Sequence, residues 1–320
     1  MGSWLVDSLI DQGHEVISAD NLLGGKEENV NPDCEFVKAD LVRRQEVRPL
    51  VKGVDLIFHL AAYAAEGQSI FSPISINEIN LIPMNNLLVE AVNNNVQRFV
   101  FTSSMAVYGR QKPPFDEKLP REPEDPYAAA KTYCETMLEI FSHIYNFEYV
   151  ILRPHNVYGP RQNIADPYRN VLGIWINRVM RGKPPIIYGD GNQTRAFSYV
   201  ADVTPAIANA GLRSKAKGHT INVGSDQAVA LGKACSLLLD LMGSDLKPQY
   251  ENARPGEVKH AFSTLKKSVD LLGYETKHSL EDGLSKMVEW ARLVGPQQPT
   301  YTLPLEITKG APRVWVEKEM

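Results

Sequence analysis

Cysteine is scarce in this chain of 320 residues, which contains only Cys34, Cys134 and Cys235. The three lie far apart, their number is odd, and none has the close spacing that metal sites and disulfide frameworks use. A disulfide-stapled secreted scaffold and a cysteine-based metal site are therefore excluded. We expect free thiols in a reducing compartment, the cytoplasm, and no bound metal.

Long apolar runs and an excess of positive charge are also absent. No run approaches the roughly 18 residues of a membrane-spanning helix, and no cationic, apolar leader precedes the first predicted helix. Aspartate and glutamate (38) outnumber lysine and arginine (34), which gives a formal net charge of −4. This balance gives no electrostatic reason to expect nucleic acid or an anionic membrane as a partner.

The first half of the chain alternates apolar, β-type runs with amphipathic helical segments. Strands are predicted at 14–20, 35–38, 54–59, 98–103 and 149–153, and helices at 1–10, 43–52, 74–94 and 127–145. Such alternation predicts an α/β fold with a doubly wound parallel sheet covered on both faces. Ligands of these sheets bind at the carboxyl ends of the strands. The residues at or just beyond those ends are Asp20, Asp40, Ala61, Ser104 and Asn156.

Beyond about residue 160 the predicted elements become shorter and more mixed. They are helices at 169–181, 202–213, 230–242, 264–272 and 279–294, and strands at 185–189, 196–200 and 219–223. This pattern indicates a smaller α/β lobe over 161–294, packed on a first domain over 1–160. The proline-rich remainder, 295–320, is predicted to be a tail along the surface.

Tyr127 and Lys131 are candidates for proton-transfer chemistry. A spacing of four places the phenol and the ammonium on one helix face, where the ammonium would lower the pKa of the phenol toward that of a general base. Ser104, at the end of the preceding strand, could share the same substrate hydroxyl. The alternative is that Tyr127 is a helix-start aromatic residue packed on the core.

A series of short segments identifies a resemblance to a known family. The chain resembles the extended short-chain dehydrogenase/reductase superfamily, and within it the nucleotide-sugar epimerase/dehydratase group, closest to the UDP-hexose 4-epimerases. The resemblance runs from Gly2 to about Trp290. It is carried by Asp20-Asn-Leu, Asp40-Leu, His59-Leu-Ala-Ala62, Asn80, Ser103-Ser-Met-Ala-Val-Tyr-Gly109, Tyr127-x-x-x-Lys131, Arg153-Pro-His-Asn-Val-Tyr-Gly-Pro160, Gly189-Asp-Gly-Asn-Gln-Thr-Arg-Ala-Phe-Ser-Tyr199 and Arg254-Pro-Gly-Glu257.

The start of the chain departs from the family pattern. The family opens with a strand and a glycine-rich turn that hold the NAD pyrophosphate, whereas here only the final glycine is present, as Gly2. Two interpretations are open: a start codon assigned too late, or a truncated and inactive chain. On either, we expect the chain as written to bind NAD weakly.

The resemblance implies an NAD site built from strand-end residues. Asp20 would accept hydrogen bonds from the adenosine ribose and select NAD over NADP; its alternative role is a turn cap. Asn80 would contact the nicotinamide ribose, although a satisfied helix residue is an equal alternative. The full implied set is Gly2, Asp20, Asn21, Asp40, Leu41, Leu60, Ala61, Ala62, Asn80, Tyr127 and Lys131.

The resemblance also implies a UDP-sugar site between the lobes. Arg195 and Arg254 would neutralise the diphosphate, with surface salt bridging as their alternative role, and the strand at Ile186–Tyr188 would pair with the uracil edge. Ala196 departs from the aspartate usual in the family. The full implied set is Ser104, Asn156, Asn170, Ile186, Tyr188, Arg195, Arg254 and Glu257.

Met105 and Ala106 distinguish among the reactions of the group. Related dehydratases carry Asp-Glu at these two positions and decarboxylases carry Glu at the second, whereas Met and Ala cannot transfer a proton. The resemblance therefore implies NAD-dependent C4 epimerisation through a 4-keto sugar. Alternatives are a related dehydratase, decarboxylase or 4-ketoreductase, or an inactive binding or regulatory protein.

Two further expectations follow from the resemblance. Ala261 occupies a position where a bulky residue narrows the sugar pocket of related epimerases, so we expect N-acetylhexosamines to be accepted. The alternative is that Ala261 lies in a buried strand and never meets the sugar. We also expect a homodimer through the helices that flank the strand bearing Ser104.

Overall fold

The computed structural model describes residues 1–254 and 258–320. The first half contains helices and strands in this order: α1 Gly2–Ile10, β1 Ile17–Asp20, β2 Glu35–Lys38, α2 Arg44–Leu50, β3 Leu56–His59, α3 Glu66–Ser69, α4 Pro73–Asn93, β4 Arg98–Thr102, α5 Pro126–Tyr145 and β5 Glu148–Pro154. The second half continues with β6 Val157–Tyr158, α6 Val171–Met180, β7 Ile186–Tyr188, β8 Thr194–Ala196, β9 Ser198–Tyr199, α7 Val200–Leu212, β10 His219–Val223, β11 Ala228–Ala230, α8 Leu231–Met242, β12 Gln249–Glu251, β13 His260–Ala261, α9 Leu280–Val294 and α10 Arg313–Val316.

The main sheet is parallel and covered by helices on both faces, as the sequence predicts. Its strands lie in the order β10-β5-β4-β3. Alternate side chains of β4 enter different cores: Val100 packs with α1 and α7, whereas Phe99 and Phe101 pack with α2, α4 and α5. This follows from the two-residue period of a strand.

β1 and β2 form a separate parallel sheet. Their register pairs Ile17 with Glu35 and Asp20 with Lys38. Among the described residues, no ladder joins these strands to β3, the edge of the main sheet. A cleft runs between the two sheets and continues toward the second lobe. The chain enters β1 from α1, so the described part of the fold begins with a helix.

The second lobe has its own core, in which Trp175, Leu238 and Met287 are buried between α6, α8 and α9. Three small sheets surround it, β11-β8-β13, β12-β7 and β6-β9. The predicted division at residue 160 needs one refinement, because α7 packs on α1 and β10 pairs with β5. Residues 200–223 therefore return to the first lobe.

The predicted elements near the carboxyl end are present in altered form. The segment predicted as a helix at 264–272 is helical over residues 266–272, of which Ser268–Leu272 form a π-helical turn. The proline-rich tail is folded against both lobes and ends with Trp315 and Met320 buried. None of the helices in the described ranges is both long and apolar enough to cross a membrane.

Candidate functional site

The cleft between the sheets and lobes has a volume of about 1600 Å³. Pockets for single small molecules measure roughly 300–1,000 Å³, so this cleft has room for more than one. It is bordered by β1 and β3 at one end and by β7 and the tail at the other. The predicted site residues along it are Gly2, Asp20, Asn21, Asp40, Leu41, Leu60, Ala61, Ala62, Ser104, Tyr127, Lys131, Asn156, Asn170, Ile186, Tyr188, Arg195 and Arg254.

Tyr127 lies near the start of α5, where local chemistry fixes the helix end. Asp125 is the N-cap and accepts a hydrogen bond from the Ala128 amide at 2.8 Å, and Pro126 follows at the first helical position. Tyr127 is buried at 5% exposure. Burial, with the negative charge of Glu66, raises the pKa of its phenol, and the Ser104 hydroxyl opposes that rise.

Lys131 lies one turn further along α5, on the same face. Its ammonium donates to the Thr102 carbonyl at 2.8 Å and stands 5.8 Å from the centre of the Tyr127 ring. Burial lowers the pKa of Lys131 to about 8. The predicted geometry is therefore present, but the predicted lowering of the Tyr127 pKa is wrong for this structure. Desolvation raises the pKa of the phenol more than the neighbouring groups lower it, because the Lys131 ammonium is directed to the end of β4.

A buried ionic network supports the strand end that carries Ser104. Glu135 accepts hydrogen bonds from the Ser103 hydroxyl at 2.6 Å and from Arg153 at 2.9 and 2.6 Å. Its side chain is fully buried, and Arg121 contacts its outer oxygen at 3.2 Å. Sequence reasoning missed Glu135; its signal was an acid on the apolar face of a helix, facing an arginine on an apolar strand.

The residues at the end of β1 make turn contacts at the edge of the cleft. An Asp20 oxygen accepts from the Leu22 amide at 2.7 Å, and Asn21 accepts from the Leu23 amide at 3.0 Å. The turn-cap alternative for Asp20 is thus realised, but it uses one carboxylate oxygen. Gly25 is packed closely here: a β-carbon there would lie 3.2 Å from the other Asp20 oxygen.

Beyond β2 and β3, the cleft wall combines a turn with small side chains. Asp40 accepts from the Val42 amide at 3.1 Å and forms a turn beside Leu41. Ala61 is exposed to the cleft, and Leu60 and Ala62 flank it. Small side chains after β3 allow a ligand to lie across the strand end.

Asn80 ties the loop after β3 to α4. Its side chain exchanges two hydrogen bonds with the backbone of Tyr63, at 3.1 and 3.2 Å, and donates to Ile76 at 2.8 Å. The residue is buried at 3% exposure. These contacts are those of the satisfied-helix alternative, and the cofactor contact of Asn80 stays a prediction.

A dinucleotide fits the cofactor end by the chemistry of these residues. The Thr102 hydroxyl and His59 Nδ1 are buried beside the cleft without a hydrogen-bond partner in the described ranges. The first turn of α1, which includes Gly2, borders the cleft without a side-chain cap or an acidic residue. An uncapped helix start of this kind suits an anionic group.

Arg161 and Arg169 bring guanidinium groups to this end, where they pair with Asp7 and Asp166, and sequence reasoning missed both arginines. Arg161 packs on α1, with its guanidinium 5.1 Å from the Trp4 ring. Arg169 lies against Gly24 and 5.0 Å from the Tyr63 ring. The signal for Arg161 was its place directly after the Gly159-Pro160 segment; no local pattern marked Arg169.

The middle of the cleft carries the predicted polar residues of the sugar site. Asn156 donates to the Ala196 carbonyl at 3.3 Å. Asn170 caps α6 by accepting from the Leu172 amide at 3.2 Å, and donates to the Val157 carbonyl at 2.7 Å. Arg195 donates to the Thr194 carbonyl at 2.9 Å and borders the cleft. These contacts hold all three side chains at the mouth of the second lobe.

The far end of the cleft includes β7. Two of its carbonyl groups accept side-chain hydrogen bonds, Ile186 from the Trp175 indole at 2.7 Å and Tyr188 from Gln193 at 2.6 Å. A carbonyl oxygen has two lone pairs, so the pairing of the uracil edge with β7 backbone groups stays a prediction. Arg254 lies 4.8 Å from the Tyr188 ring. Glu257 lies outside the described residues.

Ala261 is buried in β13, as the buried-strand alternative expects. It is 1% exposed, pairs with Arg195, and packs in a cluster with Met105, Val107 and Phe115. The sugar gate at this position stays a prediction. Met105, beside Ser104, contributes only a thioether and no ionisable group.

Known proteins resemble this chain over most of its length. The model of the NAD dependent epimerase/dehydratase family matches residues 1–224. A UDP-glucose 4-epimerase of Mycolicibacterium smegmatis is 32% identical over 302 residues, covering 91% of this chain and 95% of that protein. The structure of a Thermotoga maritima UDP-glucose 4-epimerase with UDP-glucose has a TM-score of 0.85 and 33% identity, covering 92% and 96% of the two chains. A Thermus thermophilus UDP-glucose 4-epimerase in complex with NAD also scores 0.85, with 31% identity and coverage of 91% and 95%.

Proposed function

We propose, on the premise that this chain belongs to the NAD dependent epimerase/dehydratase family, that it inverts the C4 carbon of a UDP-hexose. One observation carries the proposal: Tyr127, Ser104 and Lys131 meet at the end of β4, inside a cleft large enough for two nucleotides. The relatives with UDP-glucose and with NAD support the same reaction.

The chain's own residues move the proton in this scheme. Tyr127 accepts the proton of the sugar 4-hydroxyl, and the nearby Ser104 hydroxyl relays it. NAD, when bound, would supply the hydride chemistry at C4, both the oxidation and the return of hydride that inverts the carbon. The proton then leaves Tyr127 for the 4-keto oxygen. Oxidation and reduction cancel, so the product has the mass of the substrate.

Tyr127 needs its pKa lowered before it can act as a base. Burial raises that pKa in the structure, and Lys131 is held on the Thr102 carbonyl. The positive charge of bound NAD would favour the phenolate, as would the Lys131 charge one turn away. Binding of the cofactor would thereby help to activate the base.

The cofactor half of the site is assigned to NAD. Asp20 accepts hydrogen bonds from the adenosine ribose, while Ala61 and Ala62 leave space across β3. The first turn of α1 and the nearby Arg161 suit the pyrophosphate charge. A carboxylate at Asp20 repels a 2′-phosphate, which selects NAD over NADP.

A product analysis tests the reaction. The chain is incubated with NAD and UDP-galactose, and products are separated by chromatography and weighed by mass spectrometry. We expect UDP-glucose, unchanged mass and no accumulating NADH. Loss of water or carbon dioxide, or stoichiometric NADH, would favour a dehydratase, decarboxylase or reductase. UDP binding without turnover in saturating NAD would favour the inactive binding protein.

A homodimer is proposed through α4 and α5. Both helices expose large apolar side chains on their outer surface, including Ile74 at 73% and Ile144 at 61%. Ile82, Tyr133 and Ile140 extend this exposed set. A monomer gains nothing from an apolar stripe in water, whereas a second copy would cover it.

Light scattering on an eluting column tests the dimer. Ile140→Glu with Ile144→Glu should convert the dimer to a monomer, because each buries a charge in the interface. Val269→Glu, which changes an exposed apolar residue outside α4 and α5, is the matched control. A wild-type chain that elutes as a monomer contradicts the interface.

Cys34, Cys134 and Cys235 are free, which supports a reducing compartment, and we propose the cytoplasm.

A further inference from the structure

The C-terminal strap, residues 295–320, joins the two lobes across the far end of the cleft. On the first lobe, the Leu303 carbonyl accepts from Gln68 at 3.2 Å and the Pro304 carbonyl accepts from Ser72 at 2.8 Å. Glu306 accepts the amides of Ile74 and Ser75, each at 2.8 Å, at the start of α4. This attachment fixes the middle of the strap.

The end of the strap is attached to the second lobe. Arg178 donates to the Glu319 carbonyl at 3.2 Å, and Arg181 donates to the Met320 carbonyl at 2.9 Å. The Met320 amide donates to the Tyr301 hydroxyl at 3.2 Å. Trp315 lies between these two attachments, so its position depends on both lobes.

Trp315 is buried at 2% exposure in an aromatic cluster at the cleft. Its ring centre lies 5.0 Å from that of Tyr168, 6.0 Å from Phe71 and 6.1 Å from Tyr188. The Tyr188 and Trp315 rings are nearly perpendicular, at 79°. They form two sides of a corner that opens onto the cleft.

The Arg254 guanidinium occupies this corner. Its central carbon lies 4.8 Å from the Tyr188 ring centre and 5.8 Å from that of Trp315. Gly67 of α3 forms the third side, because a β-carbon there would come within 2.7 Å of the Arg254 Nη1 atom. Cation–π attraction and steric confinement therefore hold the guanidinium at the cleft.

We propose that Trp315 is a positioning residue for the substrate: the strap places its indole so that Arg254 is pre-oriented toward the diphosphate of a UDP-sugar. This inference rests on the proposed function. A pre-oriented arginine loses less side-chain freedom when the anion binds. Trp315 thus strengthens binding of the nucleotide without touching the reacting carbon.

Calorimetric titration with UDP tests the inference without requiring turnover. Trp315→Leu should weaken UDP binding about tenfold, because the Arg254 side chain must then lose its freedom when UDP binds, while Trp315→Tyr should restore most of the affinity. In the turnover assay, KM for UDP-galactose should rise with kcat nearly unchanged. Trp290→Phe, a half-buried tryptophan away from the cleft, should leave both measurements unchanged.

A double-substitution cycle separates positioning from a general structural role. Once Arg254→Gln has removed the guanidinium, adding Trp315→Leu should cause little further loss of UDP affinity. Independent, additive losses, or equal UDP affinity of Trp315→Leu and the unsubstituted chain, overturn the inference while leaving the proposed function intact. Failure of the unsubstituted chain to bind UDP overturns the proposed substrate class, and this inference with it.

Discussion

The two parallel sheets of the first lobe differ sharply in burial, although both carry predicted site residues at their carboxyl ends. Every residue of β4 is buried, from Arg98 to Thr102. β1 has no fully buried residue, and Ile17 is 41% exposed. Two strands with similar sequence patterns can therefore differ in burial, since the burial of a strand depends on the elements that pack on each side of it.

The contrast extends to the charges at the two strand ends. Beneath the end of β4, Glu135 and Arg153 form a buried pair within 2.6 Å. At the end of β1, the Asp20 carboxylate is exposed and contacts a backbone amide. Substitutions at the first end should therefore have large effects on either chemistry or stability, whereas those at the second should affect ligand binding alone.

The largest effect is expected from a substitution of Tyr127, beside the carboxyl end of β4. Tyr127→Phe should lower kcat by about 10²–10⁴-fold, the usual effect of losing a general acid–base group. UDP binding and the melting temperature should change little. Tyr145→Phe, an exposed tyrosine of the same helix, is the control. Turnover near the unsubstituted rate would show that a different base is used.

The buried ionic pair gives the next largest effect. Glu135→Ala should lower the free energy of unfolding by about 3–5 kcal/mol, because it leaves Arg153 buried without its carboxylate. Glu139→Ala, one turn further along α5 and partly exposed, should cost less than about 1 kcal/mol. Urea unfolding of both variants measures the difference. Equal, small losses would contradict the contrast between the sheets.

A substitution in the exposed sheet of β1 and β2 should change ligand affinity rather than the free energy of unfolding. Asp20→Ala should weaken NAD binding about ten- to a hundredfold, because charge-assisted hydrogen bonds are worth about 1.5–3 kcal/mol. Its unfolding free energy should stay within about 0.5 kcal/mol of the original. Calorimetry with NAD and NADP, with Glu28→Ala as the control, measures this. Unchanged NAD affinity would remove Asp20 from the cofactor site.

Per pH unit, the smallest expected effect is a pH dependence that arises at the buried sheet. Burial lowers the pKa of His155 to about 4, below the usual value near 6.5. As pH falls from about 6.5 toward 4, the unfolded chain therefore takes up the proton first and stability falls, by up to about 1.4 kcal/mol per pH unit.

A comparison of histidine variants measures that slope. His155→Gln should flatten the loss of stability between pH 6.5 and pH 4, because it removes the group that titrates differently in the folded and unfolded chains. His143→Gln, which changes an exposed histidine on α5, is the control. If the unfolding free energies of His155→Gln and the unsubstituted chain fell equally between pH 6.5 and pH 4, His155 would not be the source of the pH dependence.

The amino-acid sequence by itself determined the layered fold and the geometry of the Tyr127–Lys131 pair. The two-residue period of β4 and β5 sends alternate side chains to opposite cores. The spacing of Tyr127 and Lys131 places both on one helix face. These features depend only on backbone geometry over a few residues, and a single sequence contains that information.

Only the tertiary structure decided the environment of each group. It raised the pKa of Tyr127, directed Lys131 to Thr102, buried Ala261, and turned Asn80 toward a loop. It also brought Trp315 against the cleft from the end of the chain. Desolvation and hydrogen bonding depend on segments that lie far apart in sequence, so no local pattern encodes them.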